Sequence, residues 1–136
     1  YEHYEVSNYA PEANRSVHNR AYWAGRNYLG FGPSAVTTVE GRRWKNVSDT
    51  VQWVEQVEQF GHAWRDIEDL TDEQRFMERL ALGLRTAMGI DPLEYQIPED
   101  RLEPLRTEGL IESTATHVRL TLNGMMIADE IAGYLV

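Results

Sequence analysis

The sequence predicts an α+β fold with two parts. The first half of the 136 residues mixes aromatic and β-branched residues with glycine turns, which is typical of short strands. The second half opens with a helix start signal, continues with apolar residues at helical spacing, and contains a short strand pair. We place the boundary near residue 70, which gives a first domain of residues 1–69 and a second of residues 70–136.

Strands are predicted in two places in the first half. Residues 1–12 carry aromatic and β-branched side chains and are predicted to form an extended strand that Pro11 stops. A polar, exposed loop is expected over residues 12–19. Aromatic and β-branched residues resume over residues 28–39, and a turn at residues 40–41 is expected to join them to a further strand as a hairpin.

One helix is predicted before the boundary. Ser48 or Asp49 is expected to cap it, because both side chains accept hydrogen bonds from the first free N–H groups of a helix. Apolar residues then recur at helical spacing up to Phe60. Gly61 is placed to end the helix, since glycine readily adopts the left-handed conformation of a C-terminal cap.

The second half is predicted to be mainly helical. Residues 71–74 (TDEQ) form a capping box, and the helix that follows is expected to end at Gly89. Asp91-Pro92 repeats a start signal, and a further short helix interrupted or begun at Pro104 is expected to close at Gly109.

A small hairpin around residues 113–116 and a final helix with one apolar face complete the second half. This final helix carries Met125, Ala128, Ile131, Ala132 and Leu135 on that face. Helices, a two-stranded wing and a last helix together predict a winged-helix-like arrangement.

Composition excludes several classes of function. The net charge of -9 disfavours nucleic-acid binding, which depends on Lys and Arg neutralising phosphates. No apolar run approaches the roughly 20 residues that span a bilayer, so no transmembrane segment is expected. The absence of cysteine excludes disulfides and fits a reducing compartment. We expect a cytoplasmic location.

Three motifs in the first half carry a family resemblance. Residues 4–10 (YEVSNYA), 18–23 (HNRAYW) and 28–33 (YLGFGP) resemble, in order and spacing, the oxygen-independent coproporphyrinogen III oxidase-like radical SAM family, and within it the heme chaperone branch. The second half is also similar to the C-terminal domain of this family. The matching segments there are residues 82–85 (LGLR), residues 108–110 (EGL) and the RLT…G segment of residues 119–124.

The resemblance implies that this chain is a C-terminal piece. Family members bind a [4Fe–4S] cluster and S-adenosylmethionine in an upstream barrel, on cysteines of a CxxxCxxC motif. Residues 1–69 would then be the end of that barrel and its connecting segment. Because cysteine thiolates hold such clusters, this cysteine-free chain alone is not expected to perform radical chemistry, and no catalytic residue is predicted in it. Whether the longer protein is an enzyme stays open.

The resemblance also implies a heme contact in the HNRAYW motif. It assigns His18, Asn19, Tyr22 and Trp23 to heme binding, with His18 as the ligand of the heme iron. A neutral imidazole is a common axial ligand, and aromatic side chains suit the porphyrin face. The alternative is structural: His18 and Asn19 would cap the following turn, and Tyr22 and Trp23 would be core residues.

Other motifs have simpler explanations. Glycines 30 and 32 lack the remaining residues of a phosphate-binding loop, so close backbone packing is the better explanation. Residues 42–45 (RRWK) are a basic cluster that is expected at a solvated hairpin tip, although heme propionates are a possible partner. The histidines at positions 3, 62 and 117 form no spaced metal cluster. Val36 replaces a histidine of the family pattern, which leaves its role open.

Three functions follow from these patterns. The first is a heme chaperone that binds heme and delivers it to a client hemoprotein. The second is an oxygen-independent coproporphyrinogen III oxidase, which decarboxylates two propionates by radical chemistry. In the resemblance the HNxxYW motif belongs to the chaperone branch, which favours the first. The third is a structural or docking region that closes the upstream barrel. The expected partners are heme or porphyrin, a client and that barrel, and no nucleic acid.

Overall fold

The computed structural model describes residues 1–136, apart from the side chain of Glu12. The predicted mixture of helices and strands is confirmed. In chain order the elements are β1 (Glu2–Glu5), β2 (Asn8–Ala10), a 3-10 turn (Glu12–Asn14), α1 (Val17–Trp23), β3 (Val36–Val39), β4 (Arg42–Asn46), α2 (Thr50–Phe60), β5 (Trp64–Asp69), α3 (Asp72–Leu84), α4 (Glu99–Thr107), β6 (Ile111–Ser113), β7 (Val118–Leu120), α5 (Leu122–Met125) and α6 (Ala128–Leu135).

The chain forms two compact units. Residues 1–25 and 76–136 make one, which we call the split unit, and residues 26–75 make the other, the sheet unit. This division differs from the predicted boundary at residue 70, because the N-terminal hairpin packs with the C-terminal helices. The two-domain boundary of the sequence analysis stays a prediction.

The strands form three separate antiparallel sheets. They pair as β1–β2, β3–β4–β5 and β6–β7, and the described residues include no closed barrel. The assignment of residues 1–69 to the end of a barrel therefore stays a prediction.

The extended strand predicted over residues 1–12 is wrong, because the chain reverses direction within it. Glu5 is 1% exposed, and its carboxylate accepts hydrogen bonds from the Ser7 backbone N–H (2.9 Å), the Ser7 hydroxyl (3.0 Å) and the Asn8 side-chain amide. These bonds hold a tight turn between β1 and β2. A buried carboxylate with several donors is stable, whereas the same group without them would be costly.

The hairpin is joined by its backbone to the end of α3. The Val6 N–H donates to the Arg85 carbonyl (2.9 Å), and the Ala87 N–H donates to the Tyr4 carbonyl (3.1 Å). Glu5 and Thr86 face each other in this antiparallel bridge. The YEVSNYA and LGLR motifs are therefore in direct contact, which sequence spacing alone does not reveal.

The sheet unit contains a predicted hairpin and an unpredicted strand. Strands β3 and β4 pair as expected from the turn at residues 40–41, and Asp49 and Gly61 cap α2 as predicted. Strand β5 was missed. Its sequence, WRDIED, is largely charged and every residue is exposed, so it lacks the apolar alternation that indicates a strand.

Helix α3 begins as predicted and ends earlier. Thr71 and Gln74 exchange the reciprocal hydrogen bonds of a capping box. The predicted end at Gly89 is wrong, since the helix stops at Leu84. Gly89 instead packs closely against strand β7: a Cβ there would lie 2.0 Å from the Val118 carbonyl oxygen. Next to it, Ile90 exchanges two 2.9 Å backbone hydrogen bonds with Val118.

The region after α3 differs from the prediction at its start. The segment after Asp91 forms turns, and α4 begins only at Glu99 and runs through Pro104. Its end agrees with the prediction. Gly109 (φ 69°) and Leu110 return hydrogen bonds to the last turn of α4 in a Schellman motif.

The predicted final helix is divided into α5 and α6. The predicted apolar face of α6 is buried, including Ile131 and Leu135. It joins the main core of the split unit, whose buried members are Leu80, Leu84, Ile90, Ile97, Leu102, Leu105, Ile111, Val118, Leu120, Ala128, Ile131, Ala132 and Leu135. The helix predicted to start at Asp91-Pro92 is absent, while α3, α4, the strand pair and the divided final helix follow in the predicted order. The winged-helix assignment itself stays a prediction.

No helix in the described part of the chain combines the length and apolar character that crossing a membrane requires.

Replacing the buried carboxylate is expected to destabilise the split unit. Glu5→Ala leaves the Ser7 N–H and the Asn8 amide without their acceptor, which should lower the free energy of unfolding by about 1–3 kcal/mol. Glu112→Ala is the control, because Glu112 is exposed and only pairs with Arg119. It should cost at most about 1 kcal/mol. Urea unfolding measures both, and equal losses would contradict the assigned role of Glu5.

Gly89 and Gly109 both have a left-handed backbone, but they are expected to differ in how well they tolerate alanine. Gly109→Ala has open space around the new Cβ, so only the left-handed backbone should cost, at about 1–2 kcal/mol. Gly89→Ala adds a collision with the Val118 carbonyl and should cost about 3 kcal/mol or more. Thermal and urea unfolding of the two variants measure the difference. Equal stability of both variants would refute the close approach.

Candidate functional site

The four predicted heme-contact residues lie on α1, so the loop predicted over residues 12–19 is wrong from Val17 onward. Ser16 is the N-cap of this helix, and its hydroxyl accepts a hydrogen bond from the Asn19 N–H (3.2 Å). His18 and Asn19 are therefore inside the helix. The alternative that they cap the turn is wrong. The helix was missed because it is only seven residues long and buries none of them.

The helical repeat brings the four side chains to one side of α1. With about 100° per residue, Tyr22, Asn19 and Trp23 lie about 40°, 100° and 140° around the axis from His18. His18 and Tyr22 are exposed, Tyr22 at 41%, while Asn19 and Trp23 are half-buried. The Tyr22 and Trp23 rings meet edge to face, with centroids 5.4 Å apart. Neither aromatic ring is a core residue in this structure.

The N-terminal end of helix α1 contacts β1. The Ser16 N–H donates to the Tyr4 hydroxyl at 3.4 Å, and the Arg15 guanidinium pairs with the Glu2 carboxylate. Tyr4 and Glu2 both belong to β1, which is bonded to residues 85–87. The hairpin thus contacts the helix that carries the predicted site.

The chemistry available on α1 matches a planar, metal-containing ligand. The His18 imidazole makes no hydrogen bond or ion pair with the described part of the chain, so a ring nitrogen is available as an electron-pair donor. Tyr22 and Trp23 offer aromatic surface beside it. Together they form one coordinating group and one apolar wall on an exposed helix face.

The other three histidines have neighbours of their own. His3 stacks on Tyr9 at 4.3 Å, and His62 stacks on Trp64 at 4.4 Å. His117 contacts the Thr116 hydroxyl through Nδ1 at 2.8 Å. Among the described residues, no group of three or more His, Cys, Asp or Glu side chains is arranged to hold a metal ion.

Close backbone packing is confirmed for Gly30 but is wrong for Gly32, where nothing lies within 4 Å of an added Cβ and the φ of 95° is what favours glycine. A Cβ on Gly30 would lie 2.2 Å from the Val36 carbonyl oxygen, and the Gly30 N–H donates to the Thr37 hydroxyl at 2.9 Å. Val36, which replaces the family histidine, lies on β3 directly opposite Lys45.

The basic cluster is not a hairpin tip, which corrects the prediction for residues 42–45. It forms β4, the central strand of the sheet unit. Arg42 pairs with Asp69 and Arg43 with Glu68, both at 3.7 Å across to β5. Sequence reasoning missed these pairs because β5 itself was missed.

The two arginines of helix α4 are engaged within the chain. Arg106 pairs with Glu99 and Glu103, and its hydrogen bond with Glu99 raises the pKa of the guanidinium. Arg101 lies over the Tyr134 ring and donates to the Tyr134 carbonyl. Arg101 was missed because the short helix was predicted to be interrupted or to begin at Pro104, which follows this residue. Both cations are held within the chain, which disfavours phosphate binding by this helix.

Removing the N-cap is expected to loosen α1. Ser16→Ala should raise amide hydrogen exchange over residues 19–24, since a cap contributes about 1 kcal/mol and no buried side chain compensates. Ser16→Asp should restore protection because aspartate also caps. Asp49→Ala removes the equivalent cap of α2 and should leave α1 unchanged. Unaltered exchange in Ser16→Ala would show that other contacts hold the helix.

Comparison with known proteins places these features in a family. No family model matches the chain. The heme chaperone HemW of Bacillus subtilis (strain 168) is 30% identical over 139 residues, which cover 96% of this chain and 37% of that protein. The mitochondrial radical S-adenosyl methionine domain-containing protein 1 of Bos taurus is 31% identical over 150 residues, covering 94% of this chain and 34% of the relative. The chain thus spans about a third of these curated relatives.

A solved structure extends the comparison to the fold. The coproporphyrinogen III oxidase HemN from Escherichia coli, described as a radical SAM enzyme, aligns with a TM-score of 0.61 over 81% of this chain and 28% of that chain. Its sequence identity of 21% shows a shared fold. The motifs of the N-terminal hairpin and of α1 therefore predicted the family correctly: the chain is homologous to the HemW heme chaperones and to the radical S-adenosyl methionine domain-containing protein 1, and it shares its fold with HemN.

Proposed function

We propose that the chain is part of a heme chaperone and that α1 contacts the heme. Heme is the cargo in this account, with His18 as the iron ligand and Tyr22 and Trp23 against the porphyrin. Asn19, on the same side of the helix, completes the contact. The observation that carries the proposal is an exposed, unpartnered imidazole beside two aromatic rings on one helix face. The HemW relatives are named as heme chaperones, which supports it.

The exposure of α1 suits transfer better than permanent storage. A resident heme needs a pocket that covers both faces of the ring, whereas α1 buries none of its residues. A cargo held from one side by one ligand leaves the other side open to a client hemoprotein. Affinity is then limited, and fast release follows because differences in affinity appear mostly in the dissociation rate.

The helical region after residue 70 is proposed as a winged-helix-like docking region. Its order of helices, strand pair and final helix supports this assignment. Because Arg101 and Arg106 are engaged within the chain, a protein partner fits better than a nucleic acid. The partners proposed are a client hemoprotein and an upstream radical SAM barrel, which would hold a [4Fe–4S] cluster and S-adenosylmethionine. A cytoplasmic location is part of the same proposal.

A coproporphyrinogen III oxidase is the second candidate, favoured by the fold shared with HemN. The two functions differ in the ligand that this region must recognise. An oxidase acts on a metal-free porphyrinogen, so it has no use for an iron ligand on α1. Dependence of binding on the iron atom and on His18 therefore separates the chaperone from the oxidase.

Hemin titration of the chain tests the proposal. His18→Ala should weaken hemin binding at least about tenfold, which corresponds to about 1.4 kcal/mol, and should shift the Soret band toward that of unligated hemin. His62→Ala is the matched control, because His62 is also exposed and stacked on an aromatic ring but lies in the sheet unit. It should leave the Soret band unchanged.

Other outcomes of the titration reject the proposal. If His18→Ala binds hemin with the same affinity and spectrum, His18 is not the ligand and α1 is a structural element. If the unaltered chain binds no hemin, a docking role is the better account.

A further inference from the structure

Two like charges face each other on the sheet unit. Lys45 of β4 and Arg65 of β5 are direct cross-strand partners, and both are exposed. Directly opposed residues of an antiparallel pair project from the same face of the sheet, with Cβ atoms about 4.5–5.5 Å apart. Like charges in this position destabilise a sheet. A placement that costs stability needs another reason.

Neither cation is compensated within the described part of the chain. Lys45 and Arg65 make no ion pair there, whereas the neighbouring Arg42 and Arg43 pair with Asp69 and Glu68 of the same two strands. Carboxylates are abundant, since the chain has 22 acidic residues against 13 Lys and Arg. Arg20, Arg26 and Arg79 also lack an ion pair among the described residues, so what distinguishes Lys45 and Arg65 is that they face each other directly across two strands.

We propose that Lys45 and Arg65 bind the two carboxylates at one edge of a porphyrin. Two cations on adjacent strands match two neighbouring propionates, and an Arg guanidinium and a Lys ammonium both form charge-assisted hydrogen bonds with carboxylates. Val36 of β3 lies directly opposite Lys45, so the three cross-strand neighbours Val36, Lys45 and Arg65 share one face of the sheet. Val36 is half-buried and offers apolar surface beside the charges. The inference rests on the proposed heme function and names a recognition element separate from α1.

A comparison of two metal-free probes tests the pair. Protoporphyrin IX carries both propionates and its dimethyl ester carries none, and quenching of porphyrin emission follows the binding of each. The double variant Lys45→Gln/Arg65→Gln should lose at least about tenfold in affinity for the diacid, as expected for two charge-assisted contacts. Its affinity for the ester should equal that of the unaltered chain.

A matched control removes the same charge from the same sheet. Arg42→Gln/Arg43→Gln also lowers the net charge by two, but it removes cations that already have acidic partners. It should change the affinity for the diacid by less than about twofold, since these two cations are already paired with carboxylates of β5. Removing a repulsive pair should not unfold Lys45→Gln/Arg65→Gln, and far-UV circular dichroism checks this.

The outcomes separate this inference from the iron-ligand proposal. His18→Ala should bind the metal-free diacid normally, so failure of the His18 prediction with hemin leaves the pair testable. The inference is overturned if the double variant and the unaltered chain bind the diacid equally. It is also overturned if the double variant loses affinity for the ester to the same degree, or if the unaltered chain does not bind the diacid. A double variant that binds an acidic peptide more weakly but binds the diacid unchanged would overturn it as well.

Discussion

The antiparallel backbone bridge between residues 4–6 and residues 85–87 is the contact on which the split unit depends. It joins the N-terminal hairpin to the end of α3 through hydrogen bonds at Val6 and Ala87. The bridge requires a tight turn directly after β1. The buried Glu5 carboxylate supplies that turn by accepting from Ser7 and Asn8. A motif predicted to be an aromatic strand is therefore a hairpin whose turn is held by a buried acidic residue.

Helix α1 is in contact with this hairpin. It has no buried side chain, and Ser16 and Arg15 at its N-terminal end contact β1. The functional consequence is an unusual combination of order and exposure. A capped helix orients His18, and this residue is exposed in the described structure. This combination fits a group that must accept a cargo and release it again.

Local signals were predictable from the sequence and tertiary ones were not. The caps at Thr71, Asp49 and Gly61 depend on neighbouring residues and were predicted correctly. The first hairpin was missed because a buried carboxylate makes its turn. Gly89 was assigned to a helix end because its close approach to Val118, 29 positions later, has no local signal. For the site, the motif gave the residue types, but α1 and the exposure of its side chains required the structure.

The most direct test of the account is a two-dimensional NMR titration of the chain with gallium(III) protoporphyrin IX, a diamagnetic analogue of heme. The porphyrin ring current shifts the resonances of nuclei that lie against it. The account predicts that the largest shifts fall on residues 17–23, with the imidazole of His18 among the most affected. Shifts concentrated elsewhere, or no shifts at a concentration that saturates hemin binding, would contradict the claim that α1 carries the cargo.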